Sequence, residues 1–133
     1  MFFKTACCNA LWPFYIADQT DLVEIGRIEE MLHRGSRLTR IFTTTELACA
    51  KDNAATLAGN FAVKEAVSKV FGTGFFGMEP YEIEVLRDKF GAPYVKLYGG
   101  ARQLAKDKKI IKIHVSITNT KEFAQAFAIG ECV

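Results

Sequence analysis

The feature that most constrains the fold of this chain is an uninterrupted run of helix-forming residues over positions 54–70. The run is rich in alanine and valine and contains no proline, and it is followed by Gly72, a residue type favoured just past the C-terminus of a helix. The sequence therefore predicts one long helix against which the rest of the chain packs. Within it, Glu65 and Lys69 lie one turn apart on the same face.

The Glu65 and Lys69 pair has two interpretations when it is taken alone. A Glu/Lys pair at this spacing is commonly a surface interaction that contributes about 0.3–0.5 kcal/mol. The same two side chains could instead hold a metal and a phosphate side by side. A second acidic residue elsewhere in the chain is needed to separate the two interpretations.

Asp21 is the candidate for that second acidic residue. An apolar run over positions 14–17 predicts a strand that passes into a helix at about Asp21. An aspartate at such a place is also a common helix N-cap, because its carboxylate accepts hydrogen bonds from the free N–H groups of the first turn. Both a structural and a functional interpretation of Asp21 are therefore open at this point.

Composition limits the class of protein. A chain of 133 residues is expected to form a single domain. Half of the residues are apolar and the formal net charge is only +2, which argues against disorder and against general polyanion binding. The aromatic patterns of an RNA-binding sheet are absent, so no nucleic-acid partner is expected.

Four cysteines without metal-site spacing are interpreted as reduced thiols of a cytosolic protein, namely Cys7, Cys8, Cys49 and Cys132.

The first residues resemble a signal peptide only loosely. A single lysine precedes an apolar run, but Asn9 and Pro13 interrupt it. We interpret residues 1–12 as an N-terminal extension that need not be ordered, and residues 13–133 as the functional domain. No stretch approaches the roughly 20 apolar residues that a membrane-spanning helix needs, so a cytoplasmic protein without a membrane partner is expected.

The remaining elements follow from hydrophobic periodicity and turn residues. Helices are predicted over 22–32, over 45–51 with Thr44 or Thr45 as cap, and over 101–108. Strands are predicted over 83–86, 94–98, 112–118 and 123–129. In the third of these strands Ile113, Val115 and Ile117, together with Ile111 just before it, are predicted to share the buried face. The fold class is α+β: a mostly antiparallel sheet packed with one long and several short helices.

Several segments carry a resemblance to a known family, and they occur in that family's order. The chain reads TDLVEI from Thr20, FAVKEAVSK from Phe61 and HVSITNTKEF from His114, with FGTGFFG and IEVLRDKFGAPYV between the last two. These segments resemble the holo-acyl-carrier-protein synthase family, whose members show GxD(I/L)xE(I/L) and F(A/S)xKEAxxK. The resemblance covers roughly residues 14–129.

The resemblance implies an activity and a set of functional residues. Family members transfer the 4′-phosphopantetheine group of coenzyme A to a serine of apo-acyl carrier protein and release 3′,5′-ADP, a step of fatty acid biosynthesis. It implies that Asp21 and Glu65 hold Mg²⁺ and that Glu65 and Lys69 are catalytic, with Lys69 offsetting phosphate charge. Contacts with coenzyme A are implied for Lys69, Gly72, Gly74, Pro93, His114 and Asn119.

The resemblance also implies two kinds of protein contact. A basic helix docks the acidic carrier protein in the family, and the matching residues are Arg27, Arg34, Arg37 and Arg40. The family also forms homotrimers with active sites between subunits. For the arginines alone, an ordinary solvated helix face is the alternative.

Two departures from the family pattern bear on the chemistry. Asn119 stands where a second histidine is usual, and an amide cannot accept the serine proton. A metal-bound water or Glu65 could take that proton instead. The glycine-rich segment before Asp21 is also missing. The competing hypothesis is therefore a non-catalytic homologue that still binds coenzyme A or the carrier protein.

Overall fold

The computed structural model describes residues 15–35 and 37–132. Five strands and five α-helices occur in these ranges, together with one short 3-10 helix. In chain order they are β1 (Tyr15–Glu24), α1 (Ile25–Arg34), α2 (Leu38–Ile41), α3 (Thr44–Ala50), α4 (Ala54–Phe71), the 3-10 helix (Pro80–Glu82), β2 (Ile83–Arg87), β3 (Pro93–Leu97), α5 (Gly99–Asp107), β4 (Ile110–Asn119) and β5 (Phe123–Cys132).

Helix α4 is the centre of the fold, as the sequence predicts. The side chain of Asn53 caps its start by accepting a hydrogen bond from the Thr56 N–H at 3.0 Å. Gly72 ends it in the left-handed conformation, with φ of 77°, which a residue without Cβ adopts at little cost. Most residues of α4 are buried, because the helix is covered by a sheet on one side and by other helices and β2 on the rest.

A three-stranded antiparallel sheet with strand order β1-β5-β4 covers one side of α4. The face of β5 toward α4 consists of small residues, so the helix and the sheet approach closely: Ala124, Ala126, Ala128 and Gly130. A Cβ added at Gly130 would lie 2.7 Å from Cγ1 of Val70. The opposite face of the same sheet carries Phe127 and Leu22, whose side chains are partly exposed.

The strands β2 and β3 form a separate two-stranded antiparallel sheet. A buried ion pair ties this region to the helices. The ammonium of Lys64 donates to Glu46 Oε1 at 2.6 Å, to the Ile83 carbonyl at 2.5 Å and to the Pro80 carbonyl at 3.2 Å. One fully buried lysine of α4 is thereby joined to α3, to the 3-10 helix and to β2.

The fold class agrees with the sequence-based prediction and α4 begins at the predicted residue, whereas α2 and the 3-10 helix were not predicted. The prediction that a helix begins at about Asp21 is wrong. Strand β1 continues to Glu24 because every one of its residues pairs with β5, and Asp21 lies opposite Ala126. Helix α1 begins only at Ile25, whose N–H donates to the Glu122 carbonyl at 2.8 Å.

Two smaller differences have local causes. Helix α3 begins at Thr44 and is capped by Thr43, which exchanges hydrogen bonds with Glu46 in a capping box. In β4 the pairing with β5 shifts between Ile110 and Lys112. This irregularity interrupts the alternation, so Ile111 is 65% exposed instead of buried.

Some sequence-based predictions lie outside the described residues. These are the N-terminal extension over residues 1–12 and the thiol state of Cys7 and Cys8. Within the described ranges Cys49 is exposed and Cys132 is buried. A helix with the length and apolar character needed to cross a membrane does not occur in these ranges.

Candidate active site

Strand β1 and helix α4 bring together three of the predicted functional residues. The ammonium of Lys69 donates to Asp21 Oδ1 at 2.9 Å and to the Thr20 carbonyl at 3.0 Å. Asp21 projects toward α4 because it shares the inner face of β1 with Val23, which is buried. Glu65 lies one turn before Lys69 on the same side of α4. The sequence-based grouping of Asp21, Glu65 and Lys69 therefore corresponds to a cluster in space.

The electrostatics of the cluster also join these residues. Partial burial raises the pKa of the Glu65 carboxyl, and the nearby negative charge of Asp21 raises it further. The positive charges of Lys69 and Arg27 act in the opposite direction. The negative charge that Asp21 places beside Glu65 makes this a site that a cation stabilises.

The donor set at this site fits a hard divalent cation that keeps part of its hydration shell. Across residues 15–35 and 37–132, no group of three or more His, Cys, Asp or Glu side chains converges as a closed metal cage would require. Mg²⁺ does not need such a cage, because it is commonly held by one or two carboxylates together with waters and substrate phosphate. Asp21 and Glu65 supply that number of carboxylates.

The loop after α4 lies within one turn of Lys69. The N–H of Gly72 donates to the Lys69 carbonyl at 2.9 Å, and the N–H of Gly74 donates to the Ser68 carbonyl at 3.2 Å. Both glycines have positive φ, so they close the helix in a way that other residues adopt at a cost. Their position is compatible with a backbone that approaches a ligand held by Lys69.

Asn119 lies away from this cluster within one protomer. It is the last residue of β4, paired with Ala124, and it lines a cavity of about 580 Å³ at the start of α4 together with Asn53 and Ala55. Helix α4 advances about 15 Å between Ala55 and Glu65, given a rise of about 1.5 Å per residue. The two ends of α4 are thus separate places in a single chain.

His114 and Pro93 are also apart from the cluster in one protomer. His114 and Asn119 occupy positions of opposite parity on β4, so their side chains point to opposite faces of the sheet. His114 Nε2 is 2.5 Å from Glu131 Oε1 on the neighbouring strand. Pro93 begins β3 in the two-stranded sheet, where it pairs with Arg87.

Three of the four predicted docking arginines line one groove. This groove, which we call the basic groove, has a volume of about 390 Å³ and lies between α1, α2 and α4. Arg40 lies on α2 but does not line the basic groove. The groove is lined by Arg27, Glu30, Met31, Arg34, Arg37, Ile41 and Phe61.

The floor of the basic groove was not predicted from the sequence. Met31, Ile41 and Phe61 are partly buried and pack against the core, so by pattern they are ordinary core residues. Phe61 and Glu65 are one turn apart on α4, which places the groove next to the carboxylates. Phe61, Glu65 and Lys69 follow one another at intervals of four residues. This interval is the sequence signal that could have placed Phe61 next to the cluster.

Comparisons with known proteins agree on one family. The family model of the 4′-phosphopantetheinyl transferase superfamily matches residues 20–129. A holo-acyl-carrier-protein synthase of Lachnoclostridium phytofermentans is 52% identical over 114 residues, which cover 86% of this chain and 93% of the relative. One of Clostridium tetani is 41% identical over 119 residues, covering 85% and 94%.

Solved structures give the same result for the fold. A holo-ACP-synthase of Plasmodium yoelii superposes with a TM-score of 0.79 at 29% identity and covers 92% of this chain and 99% of that one. The holo-acyl-carrier-protein synthase of Helicobacter pylori in complex with coenzyme A superposes with a TM-score of 0.76 at 28% identity, covering 85% and 98%. The family and the α+β fold predicted from the sequence are both confirmed.

Proposed function

This chain belongs to the 4′-phosphopantetheinyl transferase superfamily, and we propose that it transfers 4′-phosphopantetheine from coenzyme A to a serine of apo-acyl carrier protein, as a holo-acyl-carrier-protein synthase. One observation supports this function most directly. The cluster of Asp21, Glu65 and Lys69 lies beside the basic groove, so a place for phosphate chemistry adjoins a place for an acidic protein. The retained cluster does not favour a homologue without catalytic activity.

The transfer needs charge neutralisation and positioning more than covalent chemistry by the protein. The serine oxygen bonds to the β-phosphorus of coenzyme A, the bond from that phosphorus to the bridging oxygen breaks, and 3′,5′-ADP leaves with the electron pair. Asp21 and Glu65 would hold Mg²⁺, which would supply positive charge to the transferred and leaving phosphates. The ammonium of Lys69 supplies a further positive charge from the next turn of α4.

The serine proton needs an acceptor other than Asn119. Its side-chain amide has no basic atom, and in its own protomer it lies at the far end of α4. Glu65 adjoins the basic groove and offers a carboxylate oxygen. Burial and Asp21 raise the pKa of Glu65 in the metal-free protein. A Glu65 oxygen that the metal leaves free is the proposed proton acceptor.

The basic groove is the proposed docking site for the carrier protein. Its rim provides the guanidinium groups of Arg27, Arg34 and Arg37, and its floor provides apolar side chains. An acidic helix with an apolar face is complementary to such a groove. We assign no direct docking contact to Arg40, which lies outside the groove.

We further propose a homotrimer in which each active site is completed by a neighbouring subunit. His114, Asn119 and Pro93 do not reach the cluster of Asp21, Glu65 and Lys69 in their own protomer, so contacts of these residues with coenzyme A require a second chain. The outer face of the sheet offers an interface, because Leu22 and Phe127 are 59% and 38% exposed there. A cytoplasmic role in fatty acid biosynthesis follows from this function.

One assay tests the proposed function. The protein is incubated with apo-acyl carrier protein, coenzyme A and Mg²⁺, and the carrier protein is weighed by mass spectrometry. A mass gain of one phosphopantetheine group is expected, and Asp21→Ala or Glu65→Ala should abolish it without unfolding the protein. A chain starting at residue 13 should retain activity if residues 13–133 form the domain. No mass gain, or near-normal turnover of either variant at saturating Mg²⁺, would contradict the proposal.

A further inference from the structure

Lys69 contacts the Asp21 carboxylate that a metal at this site would need. Its ammonium lies 2.9 Å from Asp21 Oδ1, and the Asp21 side chain is only 18% exposed. The Thr20 carbonyl accepts a second hydrogen bond from the same ammonium at 3.0 Å. Lys69 therefore donates hydrogen bonds to the Asp21 side chain and to the backbone carbonyl of the preceding residue.

We propose that Lys69 is the counter-ion of Asp21 in the metal-free enzyme, that it competes with the divalent metal for this carboxylate, and that metal binding releases it toward the substrate phosphate. This inference rests on the proposed function, since it assumes a metal at Asp21 and Glu65. It assigns Lys69 a role before substrate arrives, in addition to its contact with phosphate.

Electrostatics and mobility support the exchange. A divalent ion and an ammonium that share one carboxylate repel each other strongly at distances of a few ångströms. Helix α4 is fixed by its buried faces, whereas the Lys69 side chain is 38% exposed and ends a flexible four-carbon chain. The ammonium is therefore the part of the cluster that moves at the smallest cost.

The test measures metal binding in the absence of coenzyme A and carrier protein. Free Mn²⁺ is followed by electron paramagnetic resonance while it is titrated into wild-type protein and variants. Lys69→Met removes the competing ammonium, so Mn²⁺ affinity should rise about fivefold to tenfold, the range of a partly exposed ion pair. The same variant should lose transferase activity because the phosphate loses its cation.

Two further variants separate competition from a general loss of positive charge. Arg27→Met also removes one charge that acts on Glu65, but Arg27 has no hydrogen bond to Asp21 among the described residues, so affinity should rise at most about twofold. Lys69→Arg keeps the charge and a donor for Asp21, so affinity should not rise. Circular dichroism confirms that each variant is folded.

The outcomes distinguish a failure of the competition by Lys69 from a failure of the proposed function. Equal or weaker Mn²⁺ binding by Lys69→Met would overturn the competition, as would an equal gain in Arg27→Met. If Asp21→Asn in the Lys69→Met background leaves the affinity unchanged, the metal is not at Asp21, and the inference fails for that reason. Transfer that does not depend on Mg²⁺ in the wild-type protein would instead overturn the metal in the proposed function.

Discussion

Glu29 and Glu30 are consecutive residues of α1 that line two different cavities. Glu30 lines the basic groove, where its Oε1 accepts a hydrogen bond from Arg34 at 3.2 Å. Glu29 lines the cavity at the start of α4 together with Asn119. One acidic side chain therefore partly neutralises the proposed docking site, and its neighbour is a control with the same charge on the same helix.

Neutralising Glu30 should improve docking. We expect Glu30→Gln to lower the KM for carrier protein about twofold to threefold, because Arg34 no longer shares its charge with Glu30. The effect is small because both partners are largely exposed. Glu29→Gln should leave this KM nearly unchanged, and the gain in Glu30→Gln should decrease as salt increases. Steady-state kinetics at low and high salt measure both effects, and an equal gain in both variants would indicate general charge alone.

Reversing a groove arginine should weaken docking selectively. We expect Arg34→Glu to raise the KM for carrier protein about tenfold or more and to leave the KM for coenzyme A nearly unchanged. Arg40→Glu, which has the same charge change on α2 outside the groove, should have a much smaller effect. Initial rates with each substrate varied give both constants. Comparable changes in both KM values for Arg34→Glu would assign this residue to the fold or to coenzyme A.

Restoring a histidine at position 119 should have a limited effect. We expect Asn119→His to change the turnover by no more than about tenfold in either direction, since the amide can position a phosphate while the proton is taken elsewhere. Single-turnover rates at saturating coenzyme A provide the measurement. A gain of about 10²-fold or more would identify a disabled general base and would favour the non-catalytic homologue.

Removing only one partner of the buried ion pair between Lys64 and Glu46 should destabilise the fold strongly. Lys64→Met leaves a buried carboxylate without its counter-ion, which should lower the free energy of unfolding by about 3–5 kcal/mol. Adding Glu46→Gln removes the uncompensated charge and keeps an acceptor for Thr43, so the double variant should be more stable than Lys64→Met alone. Urea denaturation measures the difference. The exposed pair of Arg34 and Glu30 is the control, and Arg34→Met should cost less than about 1 kcal/mol.

The stability of the active site should depend on pH through Glu65. Burial, followed by Asp21, raises the pKa of this carboxyl above its usual 4.5 in the folded state. The charged form is thus disfavoured on folding, so wild-type stability decreases as pH rises from that value through the folded pKa. Glu65→Gln cannot ionise. In the presence of EDTA its Tm should match wild type at pH 4 and exceed it at pH 8, and a constant difference across this range would contradict the prediction.

The long helix could be predicted because local sequence determines it, whereas the grouping of Asp21 with Glu65 and Lys69 followed from the family resemblance. The end of α4 is set by Gly72, and the spacing of Glu65 and Lys69 places both on one face. Asp21 does contact Lys69, but it lies within β1 and not at the start of a helix. Positions 22–32 have helical spacing, whereas the pairing of β1 with β5 is a contact between distant parts of the chain that extends the strand to Glu24.

The sequence did not separate residues that share a motif but lie on different faces. His114 and Asn119 both belong to the HVSITNT segment, and only the strand geometry shows that they point in opposite directions. The apolar floor of the basic groove could not be predicted either, because Phe61 and Ile41 come from distant parts of the sequence and line one groove only in the folded chain. Arg40 follows the same basic pattern as Arg37, yet it lies outside the groove.

The unequal burial of the helices has a consequence for local dynamics. Helix α4, which carries Glu65 and Lys69, has most of its side chains in the core, whereas α1 buries only Ile25 and Ile28 and α2 has no buried residue. Opening α2 therefore costs much less free energy than opening α4. If the carrier protein docks in the basic groove as proposed, the wall of the groove would rearrange around different carrier surfaces while Glu65 and Lys69 stay in place. Partner tolerance and precise placement of the reacting groups would then depend on helices of different local stability.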